Sequence, residues 1–596
     1  MTSARAGLFV LALLPAALSA QVDTTRRDTT ARDTTARDTT ARDTTARDTL
    51  PALLPTFEPA ILPGPLARGT RYTFTTDSVL LSSARTLSDL LGHIPGVYVA
   101  RGGWYGEPEI ILYGGRGPAS LEIYWDGMPM LPLGRDSVYI DPARIPLGPI
   151  ERVDVIMLPA ALQVYLVTSQ HRSTAPRTQV GIVSGQYDIA DYRAGYATRM
   201  RSGFGVSMLA DWASIGQSSP GITTPPFGLS DIWVKADYVP PGGRFGASFQ
   251  VSSSSWHRAA GDRVDGWRQD RRDKLLRLFV AERADGLGWR FTATLGTSGI
   301  SHDTAVAQRN VSGAILEASQ TWRTASVSGV ARFAASGAPQ QFEASGGWMP
   351  FRPITLAGNV RQSIYSNHRA GVRAFGTAGI TLPLGLSARA EVGWRYDVQA
   401  ALVTSDQPHQ TLDLAGWVGF ENRLVSLEVG RGRRDPFEPL GFAVGIKTVG
   451  SLNPTPLTEF IAAHATLRIV PGFTLAGWYF DPVLGGGDFE PPRHARVSAA
   501  FYAKFWRVFK SGIFALRGEV AMDSWSRSAL GGVDTAGVKL GMTGSSFVDT
   551  NLEMQLAGVT LFWGVTNINI MRSSYVTGLG YPKSVQQYGA RWFFTN

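Results

Sequence analysis

The 596-residue sequence predicts a mainly β protein: a transmembrane antiparallel β-barrel of about 20 to 22 strands, with a small α+β domain at its N-terminus. Three observations carry that expectation. From about Thr178 onward, apolar and polar residues alternate with period two. The first twenty residues carry an export signal. The composition is only 18% Asp, Glu, Lys and Arg but rich in glycine and aromatic residues, where a soluble domain averages about 25% charged.

The signal comes first. "MTSARAGLFVLALLPAALSAQ" places Arg5 ahead of an apolar run from Ala6 to Ala17, closed by Leu18-Ser19-Ala20. Residues 1–20 therefore read as a signal peptide, cleaved after Ala20. The run is shorter than the ~20 apolar residues of a spanning helix, and no later segment approaches that length. Residues 21–72 read as a tether. Asp-Thr-Thr-Ala-Arg occurs four times between Asp28 and Arg47, and a Pro-rich passage follows from Pro51 to Pro65. Each repeat has one charge of either sign and no large apolar side chain. It buries too little surface to offset the entropy of ordering, so the tether is expected to be disordered.

Residues 73–173 read as the α+β domain. In "SARTLSDLLGHIPGVYV", Leu87, Leu90 and Leu91 share one helical face. Thr86 or Ser88 supplies the cap, and Pro95-Gly96 ends the turn before an extended run at Val97. Short strands are expected at Glu109–Tyr113, Leu121–Trp125 and Ile150–Ile156. Gly114, Gly115 and Gly117 permit a tight turn, and Asp126-Gly127 supplies a hairpin turn.

Residues 174–596 read as the barrel. "LSARAEVGWRYDV" sets Leu386, Ala388, Ala390, Val392, Trp394 and Tyr396 on one face, with Arg389, Glu391, Arg395 and Asp397 on the other. "FGVSMLADW" aligns Phe204, Val206, Met208, Ala210 and Trp212 likewise. Turns at Pro240–Gly243 and Asp285-Gly286 separate further segments, and longer polar loops are expected at Ser214–Gly228 and Ser252–Arg272. With about 20 strands the lumen is too wide to fill with side chains, so the apolar face must point outward, to lipid. Arginine at Val392 or Ala390 is accordingly expected to cost more than alanine at Arg389. No repeat of about 40 to 50 residues supports a propeller.

Several chemistries are excluded or unsupported. There is no cysteine, and the surplus of 57 Lys and Arg over 48 Asp and Glu is scattered rather than gathered into a stripe for nucleic acid. None of the eight histidines lies within five residues of another, and no nucleophile elbow or phosphate loop stands between strand and helix. No enzyme activity, cofactor or metal site is expected. "GRGRRDPFEP" offers Arg431, Arg433 and Arg434 either to an anion such as a lipopolysaccharide phosphate or, more simply, as a solvated loop or lumen wall.

A wide lumen left open would leak, and the small domain ahead of it has the size of a stopper. "TLSDLLGHIPGVYV", "IILYGGRGPASLEIYWDGMP" and "IPLGPIERVDVI" resemble, in order and spacing, the plug domain of TonB-dependent outer-membrane receptors. Pro95, Gly96 and Val97 match the end of that family's Leu-rich helix. Arg116-Gly117 matches its Arg-Gly, and Asp126, Gly127 and Pro129 its Asp-Gly-X-Pro turn. Glu151 and Arg152 fall in its Ile-Glu-Arg run, whose charges face the barrel wall in the family. Trp592 and Phe594, on the outward face of the last strand, resemble the signal read by barrel assembly machinery. The sequence departs from the family at "MLPAALQVYLVTSQHRS", which has no glycine where the family has a Gly-rich hairpin, so the end of the plug is expected to be shortened or rebuilt. The least poor candidate for a strand-like box gripped by TonB is "YTFTTDSVLL". The resemblance implies an outer-membrane receptor, set in outer-membrane lipid, that imports a scarce small nutrient with a TonB-type partner. The ligand is not specified. Two alternatives stand beside it: a passive or degenerate plugged barrel acting as porin or scaffold, and a secreted soluble all-β binding protein or enzyme.

Overall fold

The computed structural model describes residues 52–595 except 59–63, 77–83, 85, 102–107, 115, 134–136, 160, 217–225, 260–265, 303–308, 336, 445–446, 452–453, 485–492, 506–513, 534–538, 543 and 572–583. The signal pattern and the repeats lie outside the described residues.

The N-terminal domain forms around two small sheets and one helical turn. Strands β1 (Arg71–Thr75), β2 (Val97–Arg101), β3 (Glu109–Tyr113), β4 (Leu121–Trp125), β5 (Met128–Pro129), β6 (Ile150–Leu158) and β7 (Ala161–Thr168) surround helix α1 (Leu87–Leu91). The five-stranded sheet runs β1-β6-β7-β4-β5, and β2 pairs with β3. The β4–β7 pair is parallel. Thr86, not Ser88, caps α1: the Asp89 backbone N–H donates to the Thr86 hydroxyl at 3.3 Å, and the Thr86 N–H donates to the Asp89 carboxylate at 3.2 Å. Reciprocal bonds of this kind satisfy two orphan donors of a helix start. Ser88 is buried instead. Leu87, Leu90, Leu91 and Ile94 pack on Val153, Val155, Val164 and Leu166 of the β6–β7 hairpin in one core cluster.

The glycine-free stretch folds as a hairpin: β6 and β7 pair from Ile150↔Thr168 to Leu158↔Ala161, with Pro159 between them. Buried on both faces, the two strands read as near-continuous Val, Ile and Leu rather than as an alternation. The candidate box is also placed: Tyr72–Thr75 belong to β1, paired with β6, and Tyr72 packs against the core cluster. Residues 77–81 lie outside the described residues.

Among the described residues, 22 strands close into an antiparallel barrel. The first, Arg177–Gly185, pairs with the last, Val585–Thr595. Closure removes the sheet edge. Val392 is 40% exposed on the outer wall, whereas Arg389 and Glu391 point inward and are buried. Connections at one rim are tight, such as 352–353, 471–472 and 557–558. At the other they are longer, such as 398–408, 435–457 and 526–544. Outer-membrane barrels keep short turns on the periplasmic side, so the longer connections mark the outer mouth. The expected loops at Ser214–Gly228 and Ser252–Arg272 are shorter than the sequence suggested. Strands Phe245–Arg258 and Trp267–Ala281 run through most of the latter. Above the lipid band a serine-rich strand loses nothing by facing water, and its backbone still gains partners. Two small hairpins, Leu440–Val444 with Lys447–Ser451 and Ser528–Val533 with Lys539–Met542, stand apart from the barrel sheet.

Candidate functional site

The site is built where the plug meets the inner wall. It starts from a two-residue turn. Asp126 and Gly127 both have positive φ, 45° and 87°, and join β4 to β5. A turn of that hand suits a two-residue hairpin, and the second position favours glycine. It swings the Asp126 carboxylate back towards β7 and the wall. The Thr168 N–H donates to it at 3.0 Å and the Thr168 hydroxyl at 2.6 Å. From the wall, Gln250 Nε2 donates at 2.9 Å, while Lys235 Nζ donates to the Thr168 hydroxyl at 3.0 Å. Burial opposes ionisation of Asp126, but Lys235, Arg277 and the Thr168 bonds overcome it and hold the carboxyl below its ordinary range.

Glu122, on β4, is the second anchor. Arg361 of the wall meets it with two guanidinium nitrogens, at 3.0 and 2.5 Å, and Arg373 donates to it as well. The Tyr124 hydroxyl donates at 2.9 Å and Gln163 Nε2 at 3.2 Å. Burial alone would push this carboxyl up; Arg361 and Arg373 hold it well below the carboxylate range. Arg373 is also bonded to the buried Asp397, so plug and wall charges form one network. Arg116 is the third anchor. It is 1% exposed, paired with Asp413, donates to the Asp435 carbonyl at 3.0 Å, and lies over the Phe437 ring at 5.0 Å. On the far side His93 follows α1, its Nε2 3.0 Å from Arg496 of the wall. Burial, then Arg496, pushes His93 down to about 4, so it is neutral at physiological pH. Asp141 is pushed up to about 6 by burial, against the pull of Arg144.

The chain reaches the plug along the inside of the periplasmic rim. Residues 52–54 pair with the plug–barrel linker: Leu54 N donates to the Arg172 carbonyl at 2.9 Å and Thr174 N to the Ala52 carbonyl at 3.0 Å. Phe57 is 1% exposed, stacked on Phe279 at 4.4 Å, with the Arg277 guanidinium 4.1 Å from its ring centre. Further along, Ser326 donates to the Gly64 carbonyl, Arg68 pairs with Glu421, and Arg389 donates to the Arg68 carbonyl.

The motif residues fall as follows. Pro95, Gly96 and Val97 are buried at the start of β2, and Gly96 has φ of 77° with Tyr113 and Phe480 close behind it. Gly117 has φ of 60° beside Pro439. Pro129 pairs with Tyr124 in β5. Glu151 accepts from the Gln170 N–H at 2.5 Å and lies within electrostatic reach of Lys235 on the wall. Arg152 bonds to Asp154 at 2.8 Å and faces Glu58 of the N-terminal approach at 3.6 Å. Its partners are thus within the plug and its approach. Phe594 is 50% exposed on the outer wall, and Trp592 shares that face at half-burial. Arg431 is exposed and paired with Glu459 near the outer rim, whereas Arg434 turns inward over Phe460 at 4.2 Å. Sequence reasoning missed Glu122, Phe57 and the wall arginines. For Glu122 a signal existed: a charge two residues before the buried Tyr124 in an apolar strand.

Under the outer mouth, a cavity of about 140 Å³ separates the plug's Met128–Leu131 and Val138–Ile140 from wall residues that include Arg332, Arg361, Tyr365 and Arg373. Arg395 lies within electrostatic reach of Arg373 and Arg116, and its buried Nη1 has no hydrogen-bond partner. Five guanidiniums (Arg116, Arg332, Arg361, Arg373 and Arg395) stand against four carboxylates (Glu122, Glu343, Asp397 and Asp413). Among the described residues no group of three or more His, Asp or Glu is arranged to hold a metal ion.

Residues 67–164 match the family model described as TonB-dependent Receptor Plug Domain. No curated protein matches the chain in sequence. The fold is similar to that of a mutant of the ferric enterobactin receptor PfeA from Pseudomonas aeruginosa, at a TM-score of 0.68 and 11% identity over 89% of this chain and 98% of that one. It is similar to the siderophore receptor PirA from Acinetobacter baumannii, at 0.66 and 11% over 89% and 100%. It is also similar to the copper transporter OprC, at 0.71 and 13% over 90% and 100%.

Proposed function

From a TonB-dependent receptor plug seated in a 22-strand outer-membrane barrel, we propose a receptor that binds a scarce nutrient at its outer mouth and imports it when a TonB-type partner pulls on the N-terminal tether. The proteins of like fold are named for ferric enterobactin, a siderophore and copper. The surplus guanidinium of Arg395, buried beside Arg373 and Arg116, favours an anionic ligand such as a metal chelate. The carrying observation is the path of the chain. Residues 52–58 and 64–70 lie against the inner wall, and the latter lead directly into β1, an edge strand of the plug sheet, so tension on the tether is delivered to that strand.

The test is uptake of radiolabelled ferric chelates by cells with and without a proton-motive force, using full-length protein and a version lacking residues 21–50. That deletion spares the segments that pack in the lumen. Uptake is expected to need both the force and the tether. Uptake indifferent to both would remove the energised reading. Arg395→Gln is expected to weaken chelate binding and leave the barrel folded.

A further inference from the structure

The chain enters the barrel through a segment that is pinned on three sides. The first side is the linker between plug and barrel. Leu53 bridges Ser173, Leu54 N donates to the Arg172 carbonyl at 2.9 Å, and Ala52 N donates to the Thr174 hydroxyl at 2.9 Å. The second is the wall. The Phe57 ring, 1% exposed, lies nearly flat on Phe279, with 15° between the planes. The Arg277 and Arg290 guanidiniums stand 4.1 and 5.1 Å from its centre, and Arg290 donates to the Glu58 carbonyl at 2.6 Å. The third is the plug. Arg152 of β6 faces the Glu58 carboxylate at 3.6 Å, and Arg172 pairs with the same carboxylate from the linker.

The wall is shaped for this contact. Arg277 Nε and Nη1 and Arg290 Nε are buried without hydrogen-bond partners, so the electron-rich face of the Phe57 ring is what these guanidiniums meet. A second seat follows further along the chain. A Cβ at Gly347 would come within 2.9 Å of the Pro65 backbone, and one at Gly379 within 2.7 Å of the Ala67 Cβ, so the wall accommodates the chain there by carrying glycine. Arg68 then pairs with Glu421, and β1 begins at Arg71.

Load on a chain is borne first by the attachment nearest the pull. A pull applied before Ala52 therefore meets the contacts of residues 52–58 first, those of residues 64–70 next, and β1 last. We propose that residues 52–58 are a force-sensitive catch, with Phe57 as its pin, which keeps tension off the plug until it is peeled from the wall. The inference rests on the reading of the tether as the part that is pulled. Forced release is governed by a rate, so a brief or weak pull is absorbed at the rim and a sustained one frees the pin. Peeling also strips Glu58 from Arg152, so the plug loses a tie to the rim before β1 is loaded.

The test is force spectroscopy of the full-length protein in a lipid bilayer, pulled from the periplasmic side with no TonB protein present. The chain has no cysteine, so Thr24→Cys gives one attachment point in the tether. A small first rupture is expected ahead of the larger rupture of the plug. It should release up to about 40 Å of chain, the extended length from Ala52 to Gly64. Phe57→Ala is expected to abolish the first rupture or shift it to lower force, leaving the plug rupture and the heat-modifiable mobility of the barrel unchanged. Glu58→Gln is expected to shift it in the same direction, and carries the test if Phe57→Ala fails to fold. No rupture ahead of the plug's, or a first rupture at unchanged force in a folded variant, would overturn the proposal. So would a plug rupture weakened as much as the first, since Phe57 would then belong to the plug's own stability. These records need no TonB protein, so they succeed or fail separately from the uptake test of the tether.

Discussion

The wall strands Leu386–Asp397 and Ile189–Arg199 are built alike and used differently. Both alternate an outward apolar face with an inward face of arginine and carboxylate. In the first, Arg389, Glu391, Arg395 and Asp397 are at most 9% exposed, because the plug and its N-terminal approach press against them. In the second, Asp191, Arg193, Gly195 and Ala197 are only half-buried, because they face a cavity of about 1140 Å³ between plug and wall. Alternation decides which side chains point inward. It does not decide what they meet. The plug's own charges choose the arc: Glu122 and Arg116 find Arg361, Arg373 and Asp413 on one side, and no comparable pair reaches Ile189–Arg199 among the described residues.

The largest effect expected to separate the arcs comes from Glu122. Glu122→Ala removes the carboxylate that Arg361 meets with two nitrogens, leaving it Tyr124 and the reach of Glu343, and takes one of Arg373's two carboxylates. The loss is about 3–5 kcal/mol, the cost of breaking a buried pair by removing one partner. Gln179→Ala, half-buried on the wall beside the large cavity, should cost well under about 1 kcal/mol. Denaturant unfolding and protease resistance of the plug within the full-length protein read both. Equal costs would break the contrast.

A second comparison sharpens it. The sequence alone ranks arginine at Val392 as worse than alanine at Arg389. The structure levels that ranking. Arginine at lipid-facing Val392 should cost about 2–4 kcal/mol near mid-bilayer. Arg389 is itself buried between Glu391 and Glu428 and holds the Arg68 carbonyl, so Arg389→Ala should cost about as much. Folding into lipid vesicles measures both, and a mild Arg389→Ala would mean that the approach segment does not depend on it.

A smaller effect concerns pH. His93 is neutral in the folded state down to about 4, while an unfolded histidine takes its proton near 6.5. Stability is therefore unaffected above about 6.5 and falls as pH drops towards 4, since the unfolded state binds a proton that the folded one refuses. Arg496, Glu519 and Asp523 of the wall face the ring and modulate the shift. Asp141, raised to about 6, acts in the opposite sense between roughly pH 6 and 4. The informative quantity is therefore the difference between wild type and His93→Gln, which should appear only below about pH 6.5. A pH-independent difference would assign His93 a purely packing role. The smallest change expected is Thr86→Ala. It removes the cap of α1, on the flank facing the large cavity, for about 1 kcal/mol. Denaturant unfolding of the full-length protein measures it, and an unchanged stability would mean that the cap adds nothing to α1.

Much of this architecture was legible in the sequence, for local reasons. A two-residue period is a property of single strands, so the outward placement of Leu386, Val392, Trp394 and Tyr588 follows from the sequence order alone. A turn is equally local: the Asp126-Gly127 hairpin, the Gly96 break and the Thr86 cap each depend on a few adjacent residues. The partners of Glu122 lie 239 and 251 residues away. The stacking of Phe57 on Phe279 also joins residues far apart in the chain, and nothing nearby in sequence announces either contact. Local order therefore determined the barrel, the plug and the faces of each strand. Which wall residues the plug's charges meet was decided only by pairs formed across the closed lumen.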